Sequence, residues 1–167
     1  MKALLVVDVQ QGLVEKAIFK KETFLKEIKI AIEEFRNHGQ LIVFIQHNNN
    51  QLVEHSNPWK LYTEIETRNE DSIVQKHHGN AFEKTDLKKI LVKKGVTEVV
   101  IGGLVSHGCV RATCLGGKEE GYIVFLLREG HTCWNQNAEE KIWKMEEEMM
   151  EKGIEIKSSK EIFSKDA

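Results

Sequence analysis

A single proline and three cysteines are all that 167 residues contain. With 41% hydrophobic and 30% charged residues, so little proline describes a chain that packs a core, which excludes a disordered or low-complexity protein. Three cysteines, an odd number without a close-spaced pair, supply neither a disulfide framework nor a zinc knuckle. They point to free thiols in a reducing compartment, so a cytoplasmic location is expected. An excess of one charge is missing too: 24 Lys and Arg stand against 26 Asp and Glu, a net −2, which excludes the basic footprint of a nucleic-acid binder. No long hydrophobic run is present. Ala3 to Val7 is apolar but far too short for a signal or membrane segment, and it ends at Asp8. The remaining class is one domain over 1–167 that acts on small molecules or associates with copies of itself. A chain of this size buries roughly two thirds of its unfolded surface without staples.

Aliphatic runs set the organisation. Ala3 to Val7, Leu41 to Ile45 and Val96 to Gly102 read as strands buried on both faces, with Ser72 to Gln75, Tyr122 to Leu127 and Ile154 to Ile156 as shorter ones. Between them, Leu25, Ile28, Ala31, Ile32 and Phe35 recur at helical spacing before Gly39, as do Leu87, Ile90 and Leu91 before Gly95. A further helix is expected from about Cys109 to Glu120. Asn137 with Glu140 reads as a capping box opening a helix through Ile142, Met145, Met149 and Met150. Gln46 to Thr67 is a long polar loop. Strands alternating with helices require right-handed parallel crossovers. The expected fold is therefore α/β: a three-layer α/β/α, Rossmann-like domain on a mainly parallel sheet of five or six strands.

In such a sheet the binding crevice forms at the carboxyl ends of the strands where their order reverses. Asp8 ends the first strand, Lys76 follows the short strand at 72–75, and Gly102-Gly103-Leu104-Val105-Ser106-His107-Gly108-Cys109 follows the strand at 96–102. A thiol near a helix N-terminus and an ammonium is expected to ionise below its usual range of about 8.5. Asp8 would then serve as base, and N–H groups of the turn would hold an oxyanion. Each residue alone has an ordinary reading as well: the cysteine as a small buried hydrophobe, the aspartate as a loop anchor, the lysine as solvated surface. Their combination favours chemistry. Cys114 and Cys133 read as core thiols.

Three ordered segments, Val6-Val7-Asp8-Val9-Gln10, Lys76 with Asn80-Ala81-Phe82, and Gly103-Leu104-Val105 leading into Gly108-Cys109-Val110-Arg111-Ala112-Thr113, resemble the isochorismatase-like cysteine hydrolases. The resemblance implies a triad of Asp8 as base, Lys76 as electrostatic partner and Cys109 as nucleophile. It also implies a cis Leu104-Val105 peptide that aims the Val105 and Cys109 N–H groups at one oxyanion. Gln10, Leu13, His47, Trp59 and His131 are its candidate pocket residues, His131 lying in Glu129-Gly130-His131-Thr132. Nicotinamidase-type members carry an Asp-x-His metal pair where this chain reads Gln46-His47-Asn48-Asn49-Asn50, so no metal and no cofactor are expected.

Members that cleave the vinyl ether of isochorismate often lack the cysteine. Cys109 therefore favours hydrolysis of an amide-type C–N bond through a Cys thioester. The competing readings are a noncatalytic binding or scaffold protein that keeps the fold, and an ether hydrolase. Expected partners are a small-molecule substrate and, by the resemblance, a second copy in a homodimer or higher oligomer, with no nucleic acid and no membrane.

Overall fold

Every residue from Ala3 to Val7 is buried, and alternate side chains of this strand feed two different cores. In the computed structural model, which describes residues 1–164, Ala3, Leu5 and Val7 face one apolar cluster and Leu4 and Val6 the other. That is why the run is continuously aliphatic: a one-sided strand would alternate with polar residues.

The strands are β1 (Lys2–Val7), β2 (Leu41–His47), β3 (Ser72–Lys76), β4 (Glu98–Leu104), β5 (Ile123–Thr132) and β6 (Glu155–Lys157). They pair in parallel in the order β3-β2-β1-β4-β5-β6. The three-layer α/β/α architecture is thus realised with six strands among the described residues. One face is covered by α2 (Lys21–Asn37), through Phe24, Leu25, Ile28, Ala31, Ile32 and Phe35. The other is covered by α3 (Leu87–Lys93), α4 (Arg111–Glu119) and α5 (Ala138–Glu151), through Leu87, Leu91, Cys114, Met145 and Met149. Burying each such aliphatic or aromatic side chain contributes about 1.5–3 kcal/mol.

Several local expectations give way. No capping box forms at Asn137, whose φ is +54 and whose side chain makes no cap bond; the box occurs instead at Ser158 and Glu161, opening the short helix α6 (Ser159–Phe163). The left-handed backbone at Asn137 turns its amide away from the helix end, whereas extended Ser158 lies where a hydroxyl reaches the third residue. A one-turn helix α1 (Gln11–Val14) follows Asp8. β5 runs on to Thr132 through a register shift opposite Ile101 and Gly103, with Glu129 at φ +60, so Glu129-Gly130-His131-Thr132 is strand and not loop. Among the described residues no helix is long and apolar enough to cross a membrane.

Gly103 shows how tightly the central strands meet. Its φ is +130, and a Cβ there would stand 2.0 Å from the carbonyl oxygen of Val7. Only glycine fits.

Candidate active site

The strand order reverses between β1 and β4, and the residues that end these strands converge there. Asp8 leaves β1 with φ +54, a left-handed conformation that aspartate tolerates far better than a β-branched residue, and its N–H donates to the Ile45 carbonyl at 2.9 Å. Lys76 is the last residue of β3 and pairs in register with His47 at the end of β2. Cys109 does not open a regular helix. It lies in a π-type turn, Ser106–Val110, in which Gly108 is non-helical (φ −114, ψ −111), and α4 begins only at Arg111. The Leu104-Val105 peptide that leads into this turn is cis. The neighbouring segment docks on α4 through Thr113, whose hydroxyl accepts from the Ala81 N–H at 3.1 Å.

At the centre stands the Lys76 ammonium, fully buried. Its Nζ lies 3.1 Å from Asp8 Oδ2, 2.7 Å from His47 Nδ1 and 3.3 Å from Cys109 Sγ. Three protons meet three acceptors. Because an ammonium only donates, His47 must accept on Nδ1 and carry its own proton on Nε2. Burial, then the charge of Lys76, pushes the His47 imidazole down to about 4, so it is neutral at physiological pH. The ligand-type atoms of Asp8, His47 and Cys109 lie within 4.8 Å of one another. The Lys76 ammonium, a cation supplied by the chain itself, contacts all three residues.

The thiol is not held ionised. Burial and then the Asp8 carboxylate push Cys109 up to about 11, outweighing the ammonium. The expectation of a depressed thiol is therefore corrected: neither a helix end nor one lysine offsets burial shared with an anion. Asp8 is also raised above the usual carboxylate range, by burial first, against the opposing pull of Lys76. A protonated thiol thus lies within hydrogen-bonding reach of the carboxylate, a contact that raises the thiol and lowers the acid.

The remaining predicted residues divide. Gln10 is fully buried and clamps the main chain of His47, donating to its carbonyl at 3.0 Å and accepting from its N–H at 2.9 Å. It supports the rim from behind. Trp59 is half-buried, its indole N–H donating to Gln75 at 3.0 Å, and Leu13 and Val105 pack together against the α2-side core. Leu104 is buried in that core. His55, in the polar loop after β2, is exposed, its ring edge against Trp59. His131 does not reach the sulfur: its Nδ1 meets the Ser106 hydroxyl at 2.7 Å and its Nε2 the Glu146 carboxylate at 2.9 Å. A cavity of about 1380 Å³ lies on this far side, lined by residues including His131 and Glu146 and by none of Asp8, Lys76 or Cys109.

The isochorismatase domain matches residues 2–158. The chain belongs to the isochorismatase family. It is 26% identical over 148 residues to the isochorismatase family protein YddQ of Bacillus subtilis, covering 84% of this chain and 82% of that one. It is 29% identical over 140 residues to a streptothricin hydrolase of Streptomyces noursei, where 81% of this chain matches 56% of that enzyme's length. A solved isochorismatase family protein superposes with a TM-score of 0.88 at 25% identity, over 93% of this chain and 96% of that one. The family's shared architecture is the one described above.

The sequence reading named His47 without its partner, and it missed Ser106 and Glu146 altogether. The register of β2 with β3 could have suggested the His47–Lys76 contact. Nothing local in the sequence links Glu146, one of many acidic residues on a charged helix, to a histidine in a strand.

Proposed function

We propose that the protein hydrolyses an amide-type C–N bond of a small molecule through a thioester on Cys109, with Asp8 as the proton carrier and Lys76 as the electrostatic partner of both. The observation that carries this reading is the Lys76 ammonium held between the Asp8 carboxylate and the Cys109 sulfur, with the thiol itself hydrogen-bonded to that carboxylate. As the sulfur attacks the substrate carbonyl, the S–H proton passes to Asp8 and a C–S bond forms. The N–H groups of Val105 and Cys109 are the candidate donors to the oxyanion. Asp8 then gives its proton to the leaving nitrogen, the C–N bond breaks, and ammonia or an amine departs. Water attacks the thioester as Asp8 takes one of its protons; the C–S bond breaks and the sulfur recovers that proton. Asp8 shuttles one proton in each half-reaction.

The Lys76 ammonium contacts both Asp8 and Cys109, so its charge stabilises whichever of carboxylate or thiolate is ionised as the proton moves between them. Trp59, its N–H already committed, offers a substrate its apolar face. Kinship with a streptothricin hydrolase supports hydrolysis as the reaction class.

The test is a panel of primary amides, carbamates and ureas assayed for ammonia release by the wild type and by Cys109→Ala. Turnover by the wild type and none by the variant is the expected result; equal turnover by both would overturn the reading.

A further inference from the structure

The turn that carries Cys109 lacks the regular backbone ladder that fixes residues in an α-helix: it is π-type, and it contains a non-helical glycine immediately before the cysteine. Something else must set its position, because a displacement of about 1 Å at a reacting atom costs on the order of a hundredfold in rate. Lys76 restrains the sulfur from one side. From the other side the first residue of the turn, Ser106, is held at its hydroxyl. Ser106 is fully buried, and its Oγ lies 2.7 Å from His131 Nδ1. His131, with a side chain only 1% exposed, places Nε2 2.9 Å from Glu146 Oε2 on α5.

The direction of these bonds follows from the chemistry. A carboxylate only accepts, so Glu146 keeps a proton on His131 Nε2, and the other ring nitrogen, Nδ1, pairs with the Ser106 hydroxyl. The backbone that carries the histidine is closely packed. A Cβ at Gly130 would lie 2.2 Å from Leu127, and one at Gly102 would lie 2.7 Å from the Gly130 carbonyl oxygen. A second tie reaches α5 from the residue that follows the turn, Arg111 at the start of α4 pairing with Glu148 through two bonds of 2.7 and 2.6 Å. The Ser-His-Glu chain repeats the logic by which a carboxylate orients an imidazole toward a hydroxyl, but here the hydroxyl is sealed from solvent. It serves as an anchor and not as a second nucleophile.

We propose that Ser106, His131 and Glu146 form a positioning relay that fixes the Val105–Cys109 turn, so that Glu146, which lines the far-side cavity and not the cysteine site, controls the rate of the chemical step. This inference rests on the reading of Cys109 as nucleophile.

The experiment uses Glu146→Ala, Glu146→Gln, Ser106→Ala and the Glu146→Ala/Ser106→Ala double variant of the full chain, with the most active amide of the panel as substrate. Glu146 is partly exposed, so its variants test the relay even if Ser106→Ala does not fold. For Glu146→Ala the expected result is a fall of about tenfold in kcat with KM little changed, as befits an interaction felt only in the transition state. Glu146→Gln keeps an acceptor oxygen and restores most of the rate. The double variant is expected to lose no more than the worse single one, as members of one unit do. Independently of any substrate, amide hydrogen exchange in the peptide spanning 103–111 is expected to rise about threefold in Glu146→Ala and to return in Glu146→Gln. Unchanged kcat and unchanged exchange, or strictly additive losses, would overturn the relay. If Cys109→Ala kept full turnover, the nucleophile reading would fail; if that variant were dead while Glu146→Ala matched the wild type, only the relay would fail.

Discussion

Lys76 donates to His47 at 2.7 Å, so a histidine at the heart of the site is a neutral acceptor and not a second cation. Had it been protonated, two positive charges would confront each other in a buried space. The arrangement spends the three ammonium protons on Asp8, His47 and Cys109 and leaves the thiol proton to the carboxylate. The proposed chemistry depends on that division.

His47 is accordingly expected to titrate near 4 by NMR of its imidazole, well below the ordinary 6.5, because burial and then Lys76 disfavour its charged form. Lys76→Met should move it upward. A wild-type value at or above 6.5 would contradict the tautomer assigned to it. Replacing His47 by Leu removes the acceptor and strands one ammonium proton, at a cost of about 1–3 kcal/mol in urea unfolding.

Asp8→Asn separates reactivity from catalysis. Loss of the carboxylate removes an upward push on Cys109, so iodoacetamide alkylation of this thiol at pH 8 should accelerate. Amide turnover should fall by about 10²–10⁴-fold, the usual worth of a general base. A variant that both alkylates more slowly and turns over normally would refute the proposed division of labour.

The pH dependence of kcat/KM follows from the same two groups. Turnover needs Asp8 ionised, and burial raises its titration; activity is therefore lost as pH falls through a value above the ordinary 3.8 of aspartate. On the alkaline side the thiol keeps its proton until about 11, so the rate should hold level through pH 8 to 9. Stopped assays across pH 4 to 10 check both limbs. An acid limb at or below the ordinary carboxylate value would contradict the buried base.

Lys76→Met leaves Asp8 buried without a counter-charge. Breaking a buried pair on one side costs about 3–5 kcal/mol, and the carboxylate is then driven further toward its protonated form, which cannot act as base. Both stability and turnover should collapse. Lys76→Arg is not expected to rescue them, since a planar fork cannot direct donors at three acceptors around one point. Urea titration of the three proteins alongside ammonia release measures both effects.

Gly103→Ala probes the strand contact beneath the site. The new Cβ would meet backbone of Val7 at 2.0 Å in a conformation with φ +130, and neither strand can retreat from a central position. A loss of at least about 3 kcal/mol is expected. Thermal unfolding within a degree of the wild type would show that β1 and β4 are packed less closely.

Much of this was legible in the sequence, for physical reasons that differ by residue. Ala3 to Val7 and Leu41 to Ile45 could only be strands covered on both faces, which implies crossovers and hence a switch point. Asp8, Lys76 and the turn of Cys109 each lie at a strand's carboxyl end, so their convergence followed from topology. Burial was not legible. It reverses the expected shift of Cys109, because the strength of a charge pair depends on how much water the fold leaves around it. Nor was the left-handed backbone at Asn137 visible; the same residue type caps a helix or turns the chain, and the neighbouring packing decides. Nor was it legible that Gln10, named as a candidate pocket residue, spends its amide on the main chain of His47 and Trp59.

The most direct test is the mass of the enzyme quenched with acid during turnover of its amide. The account predicts an added acyl group that maps to the peptide containing Cys109 and is absent from Cys109→Ala. Rapid turnover with no adduct on that peptide, retained in the alanine variant, would contradict it.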